Sequence, residues 1–209
     1  MNPWDGKTAL FLRTVTNIII LNFLWVISSM PVVTIGPSTA AMYAVIRKWH
    51  VEKDHSVIRS FIHEYRIFFK QGLLVGTVWI FLGILLIVDV VYFLQIPSQV
   101  KVVLIVITIT ALIVYLLTSA PLFSILVHFE TKGWELIKQA FTFSVLDVKS
   151  TFAIILMWLS AGIVLFYAPL AIFVVIVPVS MISFRFALIS FDKVCKLPKI
   201  QSKYVILQK

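Results

Sequence analysis

The chain has 209 residues, 61% of them hydrophobic and 13% charged, with a formal net charge of +9. Soluble domains are about half apolar and about one quarter charged, so this composition excludes a soluble globular protein and indicates a polytopic membrane protein. Cys195 is the single cysteine, which excludes an intrachain disulfide and a cysteine-built metal site.

Lys7 and Arg13 precede the first apolar run with no small-x-small cleavage site after a short core, so no secretory signal peptide is expected. The run Thr14–Ile46 would be about 50 Å long as one helix, long for one crossing of a ~30 Å hydrocarbon core and short for two. It is interrupted by Pro31 and by Gly36-Pro37. If 14–33 crosses once, the N-terminus is outside, 37–49 is a helix at the inner face, and the chain has five spans. If 9–30 crosses outward, a broken segment 31–49 is just long enough to return, which makes six spans. Gly36-Pro37-Ser38-Thr39 opens the second helix. Its free N–H groups either face an anion, as in the broken helices of transporters, or are capped by the Thr34 hydroxyl or water. Ala40, Ala41 and Ala44 suit close helix packing. Asn17 and Asn22 are polar groups in an apolar run, fit either for interhelical hydrogen bonds or for lining a substrate path.

Ser56–Gln71 places Val57, Ile58, Phe61, Ile62, Tyr65, Phe68 and Phe69 at helical spacing, with Arg59, His63, Arg66 and Lys70 mostly opposite. It is expected as an interfacial helix with Ser56 as N-cap. Gln71–Ile96 is a clear span, 97–101 a short turn, and Val102–Val127 a second, antiparallel span. Gly133–Leu146, with Trp134, Ile137, Phe141 and Val145 in a stripe, is expected as a second interfacial helix. Thr151–Phe191 is apolar except for Arg185 and would be about 62 Å long as one helix. It must fold back, best at Tyr167-Ala168-Pro169, giving spans 151–168 and 170–191. Interfacial helix, span, turn and span thus recur over 56–127 and 133–191. That order fits a parallel repeat, and equally any helical hairpin with an amphipathic linker. The fold expected is a single all-α membrane domain, 1–209. It is a polytopic transmembrane helix bundle of five spans, or six with the broken segment 31–49, plus two cytoplasmic amphipathic interfacial helices.

The 47–70 connector carries Arg47, Lys48, Lys53, Arg59, Arg66 and Lys70; the 128–150 connector carries Lys132, Lys138 and Lys149. The tail adds Lys193, Lys196, Lys199, Lys203 and Lys209, whereas the short turns carry Lys101 or nothing. By the positive-inside rule the connectors and the C-terminus are cytoplasmic and the turns face outside. The same charges suit anionic lipid headgroups or a cytoplasmic partner, and with no basic soluble domain present they do not indicate nucleic acid.

Asp89 and Arg185 are charges within clear spans, where an ionisable group is a candidate functional residue. Counted from the helix ends they lie about 10 Å and about 22 Å deep, which argues against a direct pair. Pro121 and Pro178 leave the carbonyls of Leu117 and Val174 without their helical N–H partners. His63-Glu64 lacks the second histidine of a zincin helix, and no phosphate loop, dinucleotide fingerprint or nucleophile–base pair is present. No enzyme, cofactor or metal is expected.

The pattern Asn22-x-Leu24-Trp25-x-x-x-Ser29-x-Pro31-Val-Val-Thr34-Ile-Gly36-Pro37-Ser-Thr-Ala-Ala-x-Tyr43 resembles the signature of the YesL-like bacterial membrane proteins. Ser56-Val-Ile-Arg-Ser-Phe61, Phe68-Phe69-Lys70-Gln71 and Asp89 resemble theirs as well. The resemblance implies a bacterial cytoplasmic-membrane protein of unknown activity, loosely associated with carbohydrate import, and carries over no catalytic residue. The function expected is a non-enzymatic accessory or regulatory component of carbohydrate uptake, with transporter subunits or further copies of itself as partners. The alternatives are a small permease, or a structural or sensory membrane module. Asn22, Gly36, Pro37, Thr39, Asp89 and Arg185 are the residues that line a path in the permease reading and pack helices in the others.

Overall fold

A computed structural model describes residues 7–52, 56–95, 100–129, 131 and 133–195. The lysine tail beyond Cys195, Lys53, Lys132 and the 96–99 turn lie outside the described residues. Among the described residues there is no strand, and seven α-helices follow one another: α1 (Lys7–Ser28), α2 (Ile35–Arg47), α3 (Ile58–Gln95), α4 (Val100–Phe129), α5 (Gly133–Leu146), α6 (Val148–Tyr167) and α7 (Ile172–Cys195). Five of them, α1, α3, α4, α6 and α7, are long and apolar enough to span a membrane. The protein is an all-α, multi-span helical bundle.

The α6–α7 hairpin turns at Ala168 and a short 3₁₀ turn over Pro169–Ala171, as the proline predicts. The amphipathic stretch before the first clear span is helical, but it is not a separate interfacial helix. No break occurs near Gln71, and α3 runs from Ile58 to Gln95 without interruption, a length of about 57 Å. Neither a proline nor a capping residue stops the helix there, and Gly72, the weakest helix former in the junction, is used for packing instead. The start also differs from expectation. Val57, not Ser56, precedes the helix and takes the Phe61 N–H on its carbonyl, while the Ser56 hydroxyl lies 2.8 Å from that of Ser60. The second amphipathic helix, α5, is separate: the chain breaks at Asp147 (φ −126°, ψ 70°) before α6.

The broken segment is a return leg through the interior. Ser28 accepts a hydrogen bond from the Thr34 hydroxyl (2.6 Å), and the Trp25 indole donates to Thr39 (3.2 Å). Pairs 28:34 and 25:39 make α1 and α2 antiparallel. Gly36 meets Gly72 and Gly76 at one end of α2, and Lys48 meets Glu64 at the other, so α2 is also antiparallel to the first half of α3. A π-helical turn over Lys48–Glu52 extends it. The short, buried α2 therefore doubles back along α1 and along the first half of α3, among five long apolar helices.

Candidate functional site

Three of the six residues singled out from the sequence, Gly36, Pro37 and Thr39, lie on α2. From Gly36 to Ile46 every residue except Thr39 is buried, with α1, α3, α4 and α7 packed around it. This depth requires backbone-to-backbone approach. A Cβ on Gly36 would fall on the Gly72 carbonyl oxygen, and one on Gly72 would sit 2.8 Å from the Pro37 Cα. Pro37 lies in the first turn of α2, where its missing N–H has no helical acceptor to lose. The Thr34 hydroxyl does not cap this helix. It donates back toward α1, to the carbonyls of Ser28 and Pro31, and the Thr34 carbonyl accepts from Ser38 (2.7 Å).

Asn22 has a specific partner. Its Nδ2 donates to the Val174 carbonyl (3.3 Å), and its Oδ1 accepts from the Val177 N–H (3.2 Å). Val174 is the carbonyl that Pro178 leaves unpaired, so a fully buried amide on α1 repairs the proline break in α7. The other proline is served in the same way. Ser144 Oγ on α5 lies 2.6 Å from the carbonyl of Leu117, the one left open by Pro121, and 2.8 Å from Ala140 O. Sequence reasoning identified both open carbonyls but did not pair Asn22 with one of them, and it missed Ser144 altogether. The signal was available only as a polar residue on an amphipathic helix.

Thr39 lines a cavity of about 330 Å³ between α2, α4 and α6. Tyr43, Ser119 and Trp158 also border it, and it opens at the exposed Leu116 and Leu159. Its wall is apolar with a few hydroxyl and indole groups, suited to an acyl chain or a small amphipathic molecule. Asp89 and Arg185 stand apart from α2's core and from each other. Asp89 is half-buried in the distal part of α3. Arg185 Nε donates to His50 Nε2 (3.0 Å), while His50 Nδ1 lies 3.0 Å from the Ile46 carbonyl. That pairing requires the neutral imidazole with its proton on Nδ1. Near the end of α2, Arg47 Nε and His128 Nδ1 are buried without a protein partner. Among the described residues, no three His, Cys, Asp or Glu side chains are grouped as a metal site would need.

Residues 18–90, which carry α2, Asn22 and most of α3, match a family described as "Protein of unknown function, DUF624". The chain is 28% identical over 171 residues to the uncharacterized protein YteU of Bacillus subtilis (strain 168), covering 78% of this chain and 75% of that protein. It is 28% identical over 169 residues to the uncharacterized protein YesV of the same organism, covering 75% of this chain and 81% of that protein. No solved structure matches. The chain is thus similar over residues 18–90 to a family of unknown function, and over about three quarters of its length to two uncharacterized bacterial proteins.

Proposed function

We propose that this chain is a non-enzymatic accessory or regulatory subunit of carbohydrate uptake in the bacterial cytoplasmic membrane. The observation that carries the reading is the filled interior. The return leg that would hold a substrate in a broken-helix transporter is packed backbone to backbone against α3, and neither Gly36 nor Asp89 borders the cavities described around α2 and α3. The interior polar residues Asn22 and Ser144 spend their hydrogen bonds on proline-broken helices. The carbohydrate role rests on the resemblance to YesL-like proteins, the relatives in Bacillus subtilis support a bacterial source, and the five long apolar helices support a membrane. Lys48, Arg59 and Arg66 gather at the end of the bundle where α3 starts, which supports a cytoplasmic placement of that end and of the C-terminus. The partners on this reading are an importer's membrane subunits and the anionic bilayer.

A permease is the second reading, favoured by the cavity at Thr39. The two diverge on transport by the chain alone. The purified protein in liposomes should pass no labelled mono- or disaccharide above empty liposomes, and affinity purification from its host membrane should recover an importer subunit. Saturable sugar uptake by the liposomes, abolished by Thr39→Leu, would establish the permease and reject the accessory role.

A further inference from the structure

A cavity of about 500 Å³ lies between the π turn after α2 and the first turns of α3. Its chemistry is the reverse of the apolar cavity at Thr39. Arg59, His63 and Arg66 line it at i, i+4 and i+7, one face of α3. The hydroxyls of Ser56 and Ser60, 2.8 Å apart, border it, and Ser60 is buried. Lys48 stands on the opposite wall, its Nζ 2.8 Å from the buried Glu64 carboxylate, so that pair is neutral within itself. Among the described residues, Arg59 and Arg66 make no ion pair. Two guanidinium groups thus border one hollow beside a pair of hydroxyls, and among the described residues neither guanidinium is ion-paired.

Like charges brought together on one helix face repel, and an anion between them relieves this. The planar guanidinium fork matches the paired oxygens of a phosphate, and two forks supply more donors than a single carboxylate can accept. Arg66 is six residues before Gly72, about 9 Å along the helix from the apolar run. At that height both a lipid headgroup and a soluble molecule can reach it. We propose that this hollow binds one phosphate group through Arg59, Arg66 and the Ser56–Ser60 hydroxyls, presented by an anionic phospholipid or by a soluble phosphomonoester. The site is independent of the transport reading, since it requires neither an importer nor a sugar.

The test uses the full chain, purified in detergent and stripped of lipid. One arm measures retained phosphatidylglycerol against phosphatidylcholine by native mass spectrometry. The other titrates inorganic phosphate by calorimetry against chloride. Arg59→Gln/Arg66→Gln is compared with Lys138→Gln/Lys149→Gln, which removes the same charge away from the hollow. A lipid site predicts about tenfold weaker phosphatidylglycerol retention in the arginine variant, with the lysine variant near wild type; a soluble-ligand site predicts the same loss for inorganic phosphate. Arg59→Lys/Arg66→Lys keeps the charge but not the forks, and should lose about half of that selectivity on a logarithmic scale in the same arm. It also serves as the test if the glutamine variant does not fold. Equal losses in both charge-removal variants would mean diffuse surface attraction and overturn the site. So would undiminished binding in the arginine-to-lysine variant, or a wild-type protein that prefers neither probe over its control.

Discussion

Asn22 shows what a single polar side chain does in this bundle. Replacing it with leucine leaves the Val174 carbonyl, already denied a helical N–H by Pro178, without its side-chain donor, and removes the acceptor Oδ1 beside the Val177 N–H. An unsatisfied buried group costs about 1–3 kcal/mol, while interhelical hydrogen bonds in membranes contribute about 0.6–2 kcal/mol. Asn22→Leu should therefore destabilise by about 1–3 kcal/mol, read as a lower midpoint of thermal unfolding in detergent. The cause can be isolated, because Pro178→Ala returns an N–H to α7 and gives the Val174 carbonyl its own helical partner. In that background the cost of Asn22→Leu should fall by at least half. An unchanged cost in the double variant would mean that Asn22 acts through packing and not through the proline break. Ser144→Ala should behave likewise with Pro121→Ala, since its hydroxyl meets the Leu117 carbonyl. Pro178 and Asn22 were both visible in the sequence as anomalies in apolar runs. Their pairing was not, because 155 residues separate the amide from the backbone it serves and no local rule links them.

At the scale of elements, the contact between α2 and α3 sets how deeply α2 can sit. Gly36→Ala would drive a methyl into the Gly72 backbone, which no side-chain rotation can relieve. Overpacking typically costs about 1–3 kcal/mol, and a backbone collision belongs at or above the upper end. Gly162→Ala is the contrast: its Cβ meets nothing within 4 Å in the middle of α6, and alanine is the better helix former by about 1 kcal/mol. It should leave stability unchanged or slightly raised. The pair is read by thermal unfolding and by the fraction of monodisperse protein, and comparable losses in both variants would remove the packing argument. The long helices were legible because apolar length alone marks a span: α4, α6, α7 and the Pro169 turn fall within a few residues of their expected places. The junction at Gln71 was misjudged for a physical reason. A change from amphipathic to wholly apolar composition alters what surrounds a helix, not whether its hydrogen bonds continue, and α3 simply runs on. The α5–α6 break at Asp147 did coincide with a change of pattern. There the carboxylate accepts from Ser150 (2.6 Å) and pairs with Lys193 of α7 (3.4 Å), holding the corner in place.

The whole molecule is decided by parity. With five traversals the two ends of the chain would lie on opposite sides of the membrane; with six they lie together. Length counting over 14–46 left both open, since α2 at 13 residues is only about 20 Å long, and only its hydrogen bonds to α1 and its antiparallel course along α3 show that it returns. A topology experiment follows directly. An export-dependent alkaline phosphatase fused after Tyr167, at the α6–α7 turn, should be active, and the same enzyme fused after Cys195 inactive. A fluorescent protein that matures only in the cytoplasm, fused ahead of Lys7, should be bright. The N-terminal fusion separates the alternatives, because the turn and the C-terminus have the same sidedness in both. A dark N-terminal fusion, at a protein level matching the C-terminal one, would place α1 in the opposite direction and reduce α2 to a helix held at one face. A bright one makes α2 the sixth leg, the one whose peptide groups are screened from lipid by the other helices. That shielding is what lets a leg shorter than the hydrocarbon core, opened by Gly36-Pro37 and closed by a π turn, complete a crossing.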